Sequence, residues 1–467
     1  MESGKPYFFC GIGGSGMLPL ACIVRARGHE VAGSDRSLDQ QRLGDKFEFL
    51  RRLGISLFPQ DGSGLTSAEQ LLVTSAAIEE TVPDVVKAAE LGAKRVTRPQ
   101  LLAELFNAAT VGIAVGGTSG KSTTTGMIGW ILHQAGAAPT VMNGAVMKNF
   151  VDDETPFASA LVGDGEAFVS EVDESDGSIA LYRPNVAVLT NVTLDHKSLD
   201  ELRDLFRDFA SQAETVVLNL DDDETRLLAA ALPPERVVTY SFGESGADLF
   251  GQAPEDRGDF WEAAVTEKRS GETRTLALGT PGLHNLQNGL AAIAASMAAG
   301  VPFAQAVEAL KGFEGLRRRF ERVGSAGGIE VIDDFAHNPD KIAATLVSAR
   351  TAGTKRLLLF FQPHGYGPLR IMGDALVGAF AAGMRSEDVL VMSDPVYHGG
   401  TTDRSVGSEA IVAGVRAEGR TAEHIPERPR CGDRLAELAR PGDRILVMGA
   451  RDDTLSQFAR ELLAALG

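Results

Sequence analysis

Short runs of apolar residues alternate along the chain with stretches in which apolar residues recur at helical spacing. Residues 17–24 and 127–132, which follow the first two runs, place their apolar side chains on one helical face. Strands that alternate with helices in this way predict parallel sheets with crossover helices, so we expect an α/β fold. The apolar runs that we expect to form buried strands are 6–10, 111–116, 186–191, 216–219, 329–333, 357–361, 388–392 and 445–449.

The length of 467 residues is enough for about three domains. A short predicted helix precedes the run at 111, and a cluster of three arginines precedes the run at 329. The polar stretch 244–280, with alternation at 272–278, predicts a β insertion or a loop. We therefore expect domains at 1–107, 108–316 and 317–467.

The chain carries 45 Lys+Arg and 63 Asp+Glu, a formal net charge of −18. This balance argues against nucleic-acid and anionic-membrane partners, because no broad basic face can neutralise phosphates. Three cysteines without metal-like spacing favour free thiols in a reducing compartment. No apolar run reaches the roughly 18 residues of a membrane span, and the run at 7–10 is too brief for a secretory signal. We expect a cytoplasmic protein.

The first glycine-rich loop follows the first predicted strand and has the GxGxxG pattern of a dinucleotide fold. Asp35 lies nineteen residues beyond it, where an acidic side chain could bind a ribose hydroxyl. Alone, the pattern indicates a diphosphate ligand, and an NAD-dependent oxidoreductase stays open as an alternative. The loop residues are Gly11, Gly13, Gly14, Ser15 and Gly16.

The second glycine-rich loop follows the run 111–116 and has the short phosphate-loop pattern GTxGK[ST]. Its glycines allow the backbone to wrap an anion, Lys121 would reach the outer phosphates, and Ser122 would ligate Mg²⁺. The sequence therefore predicts ATP binding with Mg²⁺. The residues expected to contact ATP here are Gly117, Thr118, Ser119, Gly120, Lys121, Ser122 and Thr123.

Polar residues follow a further predicted strand at 167–170 and the next strand along the chain, 186–191. Because ligands bind at the carboxyl ends of parallel strands, we expect two adjacent strand ends to bring Glu171, Asn191 and His196 towards Lys121. Glu171 and His196 could hold a second Mg²⁺ or orient the substrate. For three acids nearby, helix capping is an alternative of equal weight to a role in the site. They are Asp173, Asp176 and Asp195.

Four further polar clusters stand out downstream. His284 and Asn288 precede the apolar helix predicted at 290–298 and could read a base, with helix capping as the alternative. The arginines 317–319 are unusual in so acidic a chain. The clusters 333–339 and 362–366 each lie at the exit of a predicted strand.

Together these motifs resemble those of the ATP-dependent Mur ligases, most of all the members that join L-alanine to UDP-N-acetylmuramate. The resemblance implies a Rossmann-like N-terminal domain, a central P-loop ATPase-type domain and a Rossmann-like C-terminal domain. It implies that ATP phosphorylates the lactoyl carboxylate of the muramate and that an amine attacks the acyl phosphate. Separately from the resemblance, we expect a monomer or a homodimer. The matching segments, in family order, are GIGGSGM, GSD, GTSGKSTTT, EVDESDGS, TNVTLDH, HNLQN, RRRFE, DDFAHNP and QPH.

The resemblance also implies roles for individual residues. The catalytic residues would be Lys121, Glu171, His196 and Arg319. The metal ligands would be Ser122, Glu171 and His196. The further ATP contacts would be Asn288, Arg319 and Asp334. The UDP-substrate would contact the first loop, which replaces the NAD interpretation, and Asp35, Ser75 and Ser175. The acceptor would contact His364 and Arg370.

The chain departs from the family at three places. Ser119 and Ser122 replace the His and Thr of GTHGKTTT, and the segment after His196 differs from DHMDYYG. Gly365 and Pro368 stand where the QPHRYTR motif of the alanine-adding members has arginines, and Arg370 or Arg404 could compensate. The default acceptor is L-alanine. The alternative is a murein-recycling ligase that adds a preformed peptide.

Overall fold

The computed structural model describes residues 4–76, 78–193, 198–258, 260–350, 353–396, 404–450 and 452–467. The chain divides into two compact units, Met1–Gly315 and Leu316–Gly467. Three sheets with helices between their strands confirm the α/β class. None of the helices in the described ranges is long and apolar enough to cross a membrane.

The first sheet is entirely parallel, in the order β3-β2-β1-β4-β5. Phe8 and Phe9 point to opposite faces of β1 and both are fully buried, as a parallel sheet covered on both faces requires. The strands are β1 (Pro6–Cys10), β2 (Glu30–Ser34), β3 (Ser56–Phe58), β4 (Leu71–Thr74) and β5 (Arg95–Thr97). The helices are α1 (Met17–Ala26), α2 (Arg36–Asp39), α3 (Gly44–Arg52), α4 (Pro83–Leu91) and α5 (Arg98–Asn107).

The second sheet has ten strands, in the order β15-β14-β13-β12-β11-β10-β6-β9-β7-β8. The strands are β6 (Val111–Gly116), β7 (Thr140–Met142), β8 (Ala160–Leu161), β9 (Ala167–Glu171), β10 (Val186–Leu189), β11 (Thr215–Asn219), β12 (Val237–Ser241), β13 (Leu249–Asp256), β14 (Trp261–Glu267) and β15 (Thr273–Leu278). The helices are α6 (Lys121–Gln134), α7 (Leu199–Ser211), α8 (Asp223–Ala231), α9 (Leu283–Ala298) and α10 (Phe303–Leu310). The antiparallel pairs β13–β14 and β14–β15 form the predicted β insertion.

The third sheet lies in the second unit, in the order β16-β17-β21-β18-β19-β20, with only β16 antiparallel. The strands are β16 (Glu321–Ala326), β17 (Ile329–Asp334), β18 (Arg356–Gln362), β19 (Val389–Met392), β20 (Thr421–His424) and β21 (Asp443–Gly449). The helices are α11 (Pro339–Ser348), α12 (Tyr366–Gly383), α13 (Ser408–Ala417), α14 (Arg428–Leu438) and α15 (Leu455–Ala465).

All eight predicted strands are present, with ends that shift by at most two residues. The strands that the sequence did not reveal include short edge strands such as β3 and β8, and also β12 in the interior of the second sheet. The helix predicted at 290–298 begins earlier, at Leu283, so His284 and Asn288 lie inside α9 instead of before it. The domain boundaries near 107 and 316 stay a prediction.

Candidate functional site

The phosphate loop connects β6, in the interior of the ten-stranded sheet, to α6. Gly117 has φ +121°, and a Cβ there would lie 2.3 Å from the hydroxyl oxygen of Thr190. Gly120 has φ +86°, and a Cβ there would lie 2.5 Å from the amide oxygen of Asn288. Both positions therefore require glycine, for conformation and for space. The loop delivers Lys121 and Ser122 to the first turn of α6, where helix N–H groups lack intrahelical partners.

Asn191, just beyond β10, braces the tip of this loop. Its main-chain oxygen accepts from the Thr118 N–H at 3.0 Å, and its side-chain oxygen accepts from the Ser119 N–H at 2.9 Å. Its amide nitrogen donates to the Ser119 carbonyl at 3.0 Å. The amides of Thr118 and Ser119 are thus engaged within the protein, and those at the start of α6 are better placed to bind an anion. ATP contacts of Thr118, Ser119 and Thr123 stay a prediction.

The two strands that carry the predicted polar residues are not adjacent. β9 and β10 pair with opposite sides of β6, so the strand that leads into the phosphate loop lies between them. The expectation of adjacent strand ends is therefore wrong. The actual order places Glu171 on one side of the loop and Asn191 on the other, because parallel strands end at the same edge.

Glu171 meets Ser122 rather than Lys121. The Ser122 hydroxyl donates to the Glu171 carboxylate at 2.7 Å. Gly144, in the turn after β7, lies against the same carboxylate, since a Cβ at Gly144 would be 1.9 Å from the Glu171 oxygen. Asn143 supports the arrangement by donating to the Ser122 carbonyl at 2.9 Å. The hydroxyl and carboxylate oxygens present at this corner are the ligands that Mg²⁺ prefers.

Lys121 pairs with an acid that the sequence did not single out. Its ammonium nitrogen lies 2.8 and 3.1 Å from the two carboxylate oxygens of Glu174 and donates to the Gly117 carbonyl at 2.6 Å. The Glu174 side chain is only 7% exposed. The motif EVDESD offers four acids, and spacing alone could not show which one turns towards Lys121.

The other acids of this segment stabilise turns. Asp173 accepts from the Ser175 N–H at 2.8 Å, and Asp176 accepts from the Ser178 N–H at 2.9 Å, so both carboxylates hold local turns. The short helix that follows, Ser178–Leu181, begins after Gly177 without a side-chain cap, so helix capping is not what these contacts show. Burial acts to raise the pKa of Asp173, but hydrogen bonds from Ser175 and the nearby charge of Lys121 hold it below its ordinary value. The remaining two predicted residues, Asp195 and His196, lie outside the described residues.

The first glycine-rich loop is held by Asp35. One carboxylate oxygen of Asp35 accepts from the Gly13 N–H at 2.9 Å, and the other accepts from the Ser37 N–H at 2.7 Å and so caps α2. The Lys46 ammonium donates to the Gly13 carbonyl at 3.0 Å. Asp35 therefore shapes the loop, and its contact with a ribose stays a prediction.

Arg98, the first residue of α5, connects the first loop to the central sheet. A Cβ added at Gly16 would lie 3.0 Å from the Arg98 side chain, so Arg98 packs against the start of α1. Its charge also acts to lower the pKa of Asp173. In the sequence, Arg98 is marked only as a basic residue that follows Thr97, the residue that caps α5. Arg98 is thus a cation between two loops with predicted anionic ligands.

The remaining substrate and nucleotide residues of the first unit lie at element ends. Ser75 directly follows β4, and Ser175 is exposed in the turn after β9. Asn288 is buried in α9, where its side-chain oxygen accepts from the Thr124 hydroxyl at 3.3 Å. Asn288 therefore packs against the phosphate loop, and its contact with adenine stays a prediction.

In the second unit, the three consecutive arginines have different environments. Arg318 is buried, pairs with Asp333 and donates to the carbonyls of Gly449 and Asp452 at 2.7 and 3.1 Å. Arg319 lies over the ring of Phe335, 4.5 Å from its centroid. Arg318 thus has structural contacts, whereas Arg319 remains the residue predicted to contact the nucleotide.

Asp334, the predicted nucleotide-ribose contact, ends β17. It accepts from the N–H groups of Phe320 at 3.1 Å and Ala336 at 2.8 Å. Burial raises the pKa of Asp334 to about 6, although the charge of Arg319 acts to lower it. Its two backbone hydrogen bonds orient the carboxylate at the exit of the strand.

The two residues predicted to contact the acceptor have different surroundings. His364 lies beside His337, with ring centroids 5.1 Å apart. Arg370 lines a cavity of about 880 Å³ between α12 and α13, and His364 is not among the described residues that line it. Arg404 lies near the motif at residues 362–368, with its guanidinium carbon 5.9 Å from the ring centroid of Tyr366. Both arginines that could compensate therefore lie close to the motif, Arg370 on α12, which begins at Tyr366, and Arg404 beside the Tyr366 ring.

Three family models match consecutive parts of the chain. They are described as "Mur ligase family, catalytic domain" for residues 6–110, "Mur ligase middle domain" for residues 115–296, and "Mur ligase, glutamate ligase domain" for residues 318–451.

Curated relatives match over nearly the full length. UDP-N-acetylmuramate–L-alanine ligases from a Cyanothece strain and from Streptomyces coelicolor are each 36% identical, over 98% and 96% of this chain and 95% of each relative. Among solved structures, the UDP-N-acetylmuramate-alanine ligase of Thermotoga maritima has 25% identity and a TM-score of 0.79, covering 98% of both chains. A murein peptide ligase from Psychrobacter arcticus has 25% identity and a TM-score of 0.71, covering 99% of both chains.

Proposed function

The chain belongs to the Mur ligase family, and from this premise we propose that it joins L-alanine to UDP-N-acetylmuramate in peptidoglycan precursor synthesis. It is an ATP-dependent ligase, so the oxidoreductase alternative no longer has support. The observation that carries the proposal is the corner at the end of β6, where Lys121 and Ser122 face Glu174 and Glu171. Similarity to alanine-adding relatives along nearly the whole chain supports the choice of acceptor.

The reaction needs two displacements. A carboxylate oxygen of the muramate attacks the γ-phosphorus of ATP, and ADP leaves with the electron pair of the broken P–O bond. The amine nitrogen of alanine then attacks the acyl carbon, a tetrahedral adduct forms, and inorganic phosphate leaves as the amine proton is lost. Because several anionic oxygens converge in the first step, the protein has to supply positive charge and fixed orientation.

The residues of this chain supply both. The N–H groups at the start of α6 and the Lys121 ammonium would hold the β- and γ-phosphates, while Asn191 keeps the loop in shape. Ser122 and Glu171 would hold Mg²⁺, joined by His196, and the ion would neutralise charge on the transferred phosphoryl group. We further propose that Asn288, Arg319 and Asp334 contact the nucleotide, and that the first loop, Asp35, Ser75 and Ser175 contact the UDP-sugar.

A phosphate-release assay with purified protein, ATP, Mg²⁺ and UDP-N-acetylmuramate tests the proposal. We expect release that depends on L-alanine. Lys121→Ala should lose turnover while binding of the UDP-sugar, measured by calorimetry, persists. Full activity in that variant would contradict the role of Lys121, and no turnover with any acceptor would contradict the function as a whole.

A second acceptor class has one specific observation in its favour. Gly365 caps α12 and Pro368 lies in its first turn, at positions where alanine-adding members carry arginines, so the cationic contacts to a small amino acid are reduced. A preformed peptide would need less positive charge from the protein at these two positions. Turnover with a muropeptide-type tripeptide but none with L-alanine would favour this recycling activity.

We also propose a cytoplasmic location and a monomeric or homodimeric state.

A further inference from the structure

Lys121, the cation proposed to bind the nucleotide phosphates, is already engaged in an ion pair with Glu174. The Lys121 ammonium has three protons, and its contacts are the Gly117 carbonyl at 2.6 Å and the two Glu174 oxygens at 2.8 and 3.1 Å. In these contacts every proton has a protein acceptor. For Lys121 to donate to a phosphate oxygen, at least one contact has to be given up.

Glu174 has few alternatives to Lys121. Its side chain is 7% exposed, and within the described residues its carboxylate accepts hydrogen bonds from Lys121 alone. Removing one partner of a buried ion pair leaves an uncompensated charge, which is strongly unfavourable. A phosphate that draws Lys121 away would therefore place two sets of anionic oxygens close together with one ammonium between them.

We propose that Glu174 is a positioning residue that competes with the nucleotide for Lys121 and thereby makes nucleotide binding depend on a divalent cation. This inference rests on the proposed ATP-dependent function. Metal-free nucleotide has to separate Lys121 from Glu174 with nothing to replace the lost charge. A nucleotide that arrives with Mg²⁺ brings positive charge to the corner formed by Ser122 and Glu171. Ser122 directly follows Lys121, and Glu171 lies three residues before Glu174, so this charge arrives beside the ion pair.

The test is to measure the binding of a non-hydrolysable ATP analogue by calorimetry, with Mg²⁺ and with EDTA. In Glu174→Gln, which keeps the size and removes the charge, we expect metal-free affinity to rise at least tenfold and affinity with Mg²⁺ to change less than about threefold. The ratio of the two dissociation constants should therefore fall. A structural role alone would weaken both affinities and leave the ratio unchanged.

The matched control is Glu224→Gln. Glu224 is 15% exposed and pairs with Arg203 at 2.7 Å, on helices remote from the loop in sequence, so its ratio should equal that of the unsubstituted protein. If Glu174→Gln does not fold, Glu174→Met provides the same loss of charge. An unchanged ratio in a folded Glu174 variant would overturn this inference. Absence of nucleotide binding by the unsubstituted protein, even with Mg²⁺, would instead overturn the proposed function.

Discussion

Gly144 controls the position of Glu171 without taking part in the chemistry. A Cβ at this position would lie 1.9 Å from a Glu171 carboxylate oxygen, whereas ordinary contact begins near 3.4 Å. In Gly144→Ala the carboxylate therefore has to retreat by about 1.5 Å, which its flexible side chain permits. The retreat shifts the carboxylate whose other oxygen accepts the 2.7 Å hydrogen bond from Ser122, and so it moves a proposed Mg²⁺ ligand, although no charge is lost.

We expect kcat of Gly144→Ala to fall by about 100-fold, because a displacement of about 1 Å in a positioning group can have an effect of that size. The thermal midpoint should change little, since Gly144 is exposed and its φ is one that alanine adopts. The assay is alanine-dependent phosphate release at saturating ATP. Gly246→Ala, where an added Cβ meets nothing within 4 Å, is the matched control. A kcat of Gly144→Ala within twofold of the control would refute the reasoning.

Two further predictions concern the second unit. Arg318→Met leaves the fully buried Asp333 without its cation, so denaturant unfolding should show a loss of about 3–5 kcal/mol. Arg319→Met should lower the free energy of unfolding by less than about 1 kcal/mol, since the cation–π contact of Arg319 is partly exposed. The same variant should raise the KM for ATP. Equal stability losses in the two variants would contradict the distinction between the two arginines. Burial lowers the pKa of His337 to about 3, so its ring resonances should stay constant from pH 8 to pH 5, with His337→Gln used for assignment. Because the folded state disfavours the protonated ring, the stability that this histidine contributes is lost as pH falls from its ordinary pKa of about 6.5 towards 3; a ring midpoint near 6.5 would contradict the predicted environment.

Net charge was a poor guide to the ligands of this protein. The value of −18 argued against nucleic-acid and anionic-membrane partners, whereas the ligands that we propose, ATP and a UDP-sugar, are also anionic. The structure reconciles the two, because small anions can bind to helix N–H groups and to single cations such as Lys121 and Arg98. A broad basic surface is needed only for an extended polyanion.

The sequence by itself determined the α/β class, the eight central strands and the two glycine-rich loops. These features depend on local properties, namely apolar runs that suit buried parallel strands and glycines that permit positive φ. The position of Glu171 at the same sheet edge as the phosphate loop was also predictable, because residues at the carboxyl ends of parallel strands share one edge of a sheet.

Only the tertiary structure decided which side chains meet at that edge. Strand order is a long-range property, so the position of β6 between β9 and β10 could not be read from the chain. The choice of Glu174 over Asp173 as the partner of Lys121 depends on how one turn folds back over the loop. The proximity of Arg404 to Tyr366 in the acceptor motif depends likewise on packing between residues far apart in sequence. Local pattern specifies which elements form, whereas the contacts between distant elements specify the site.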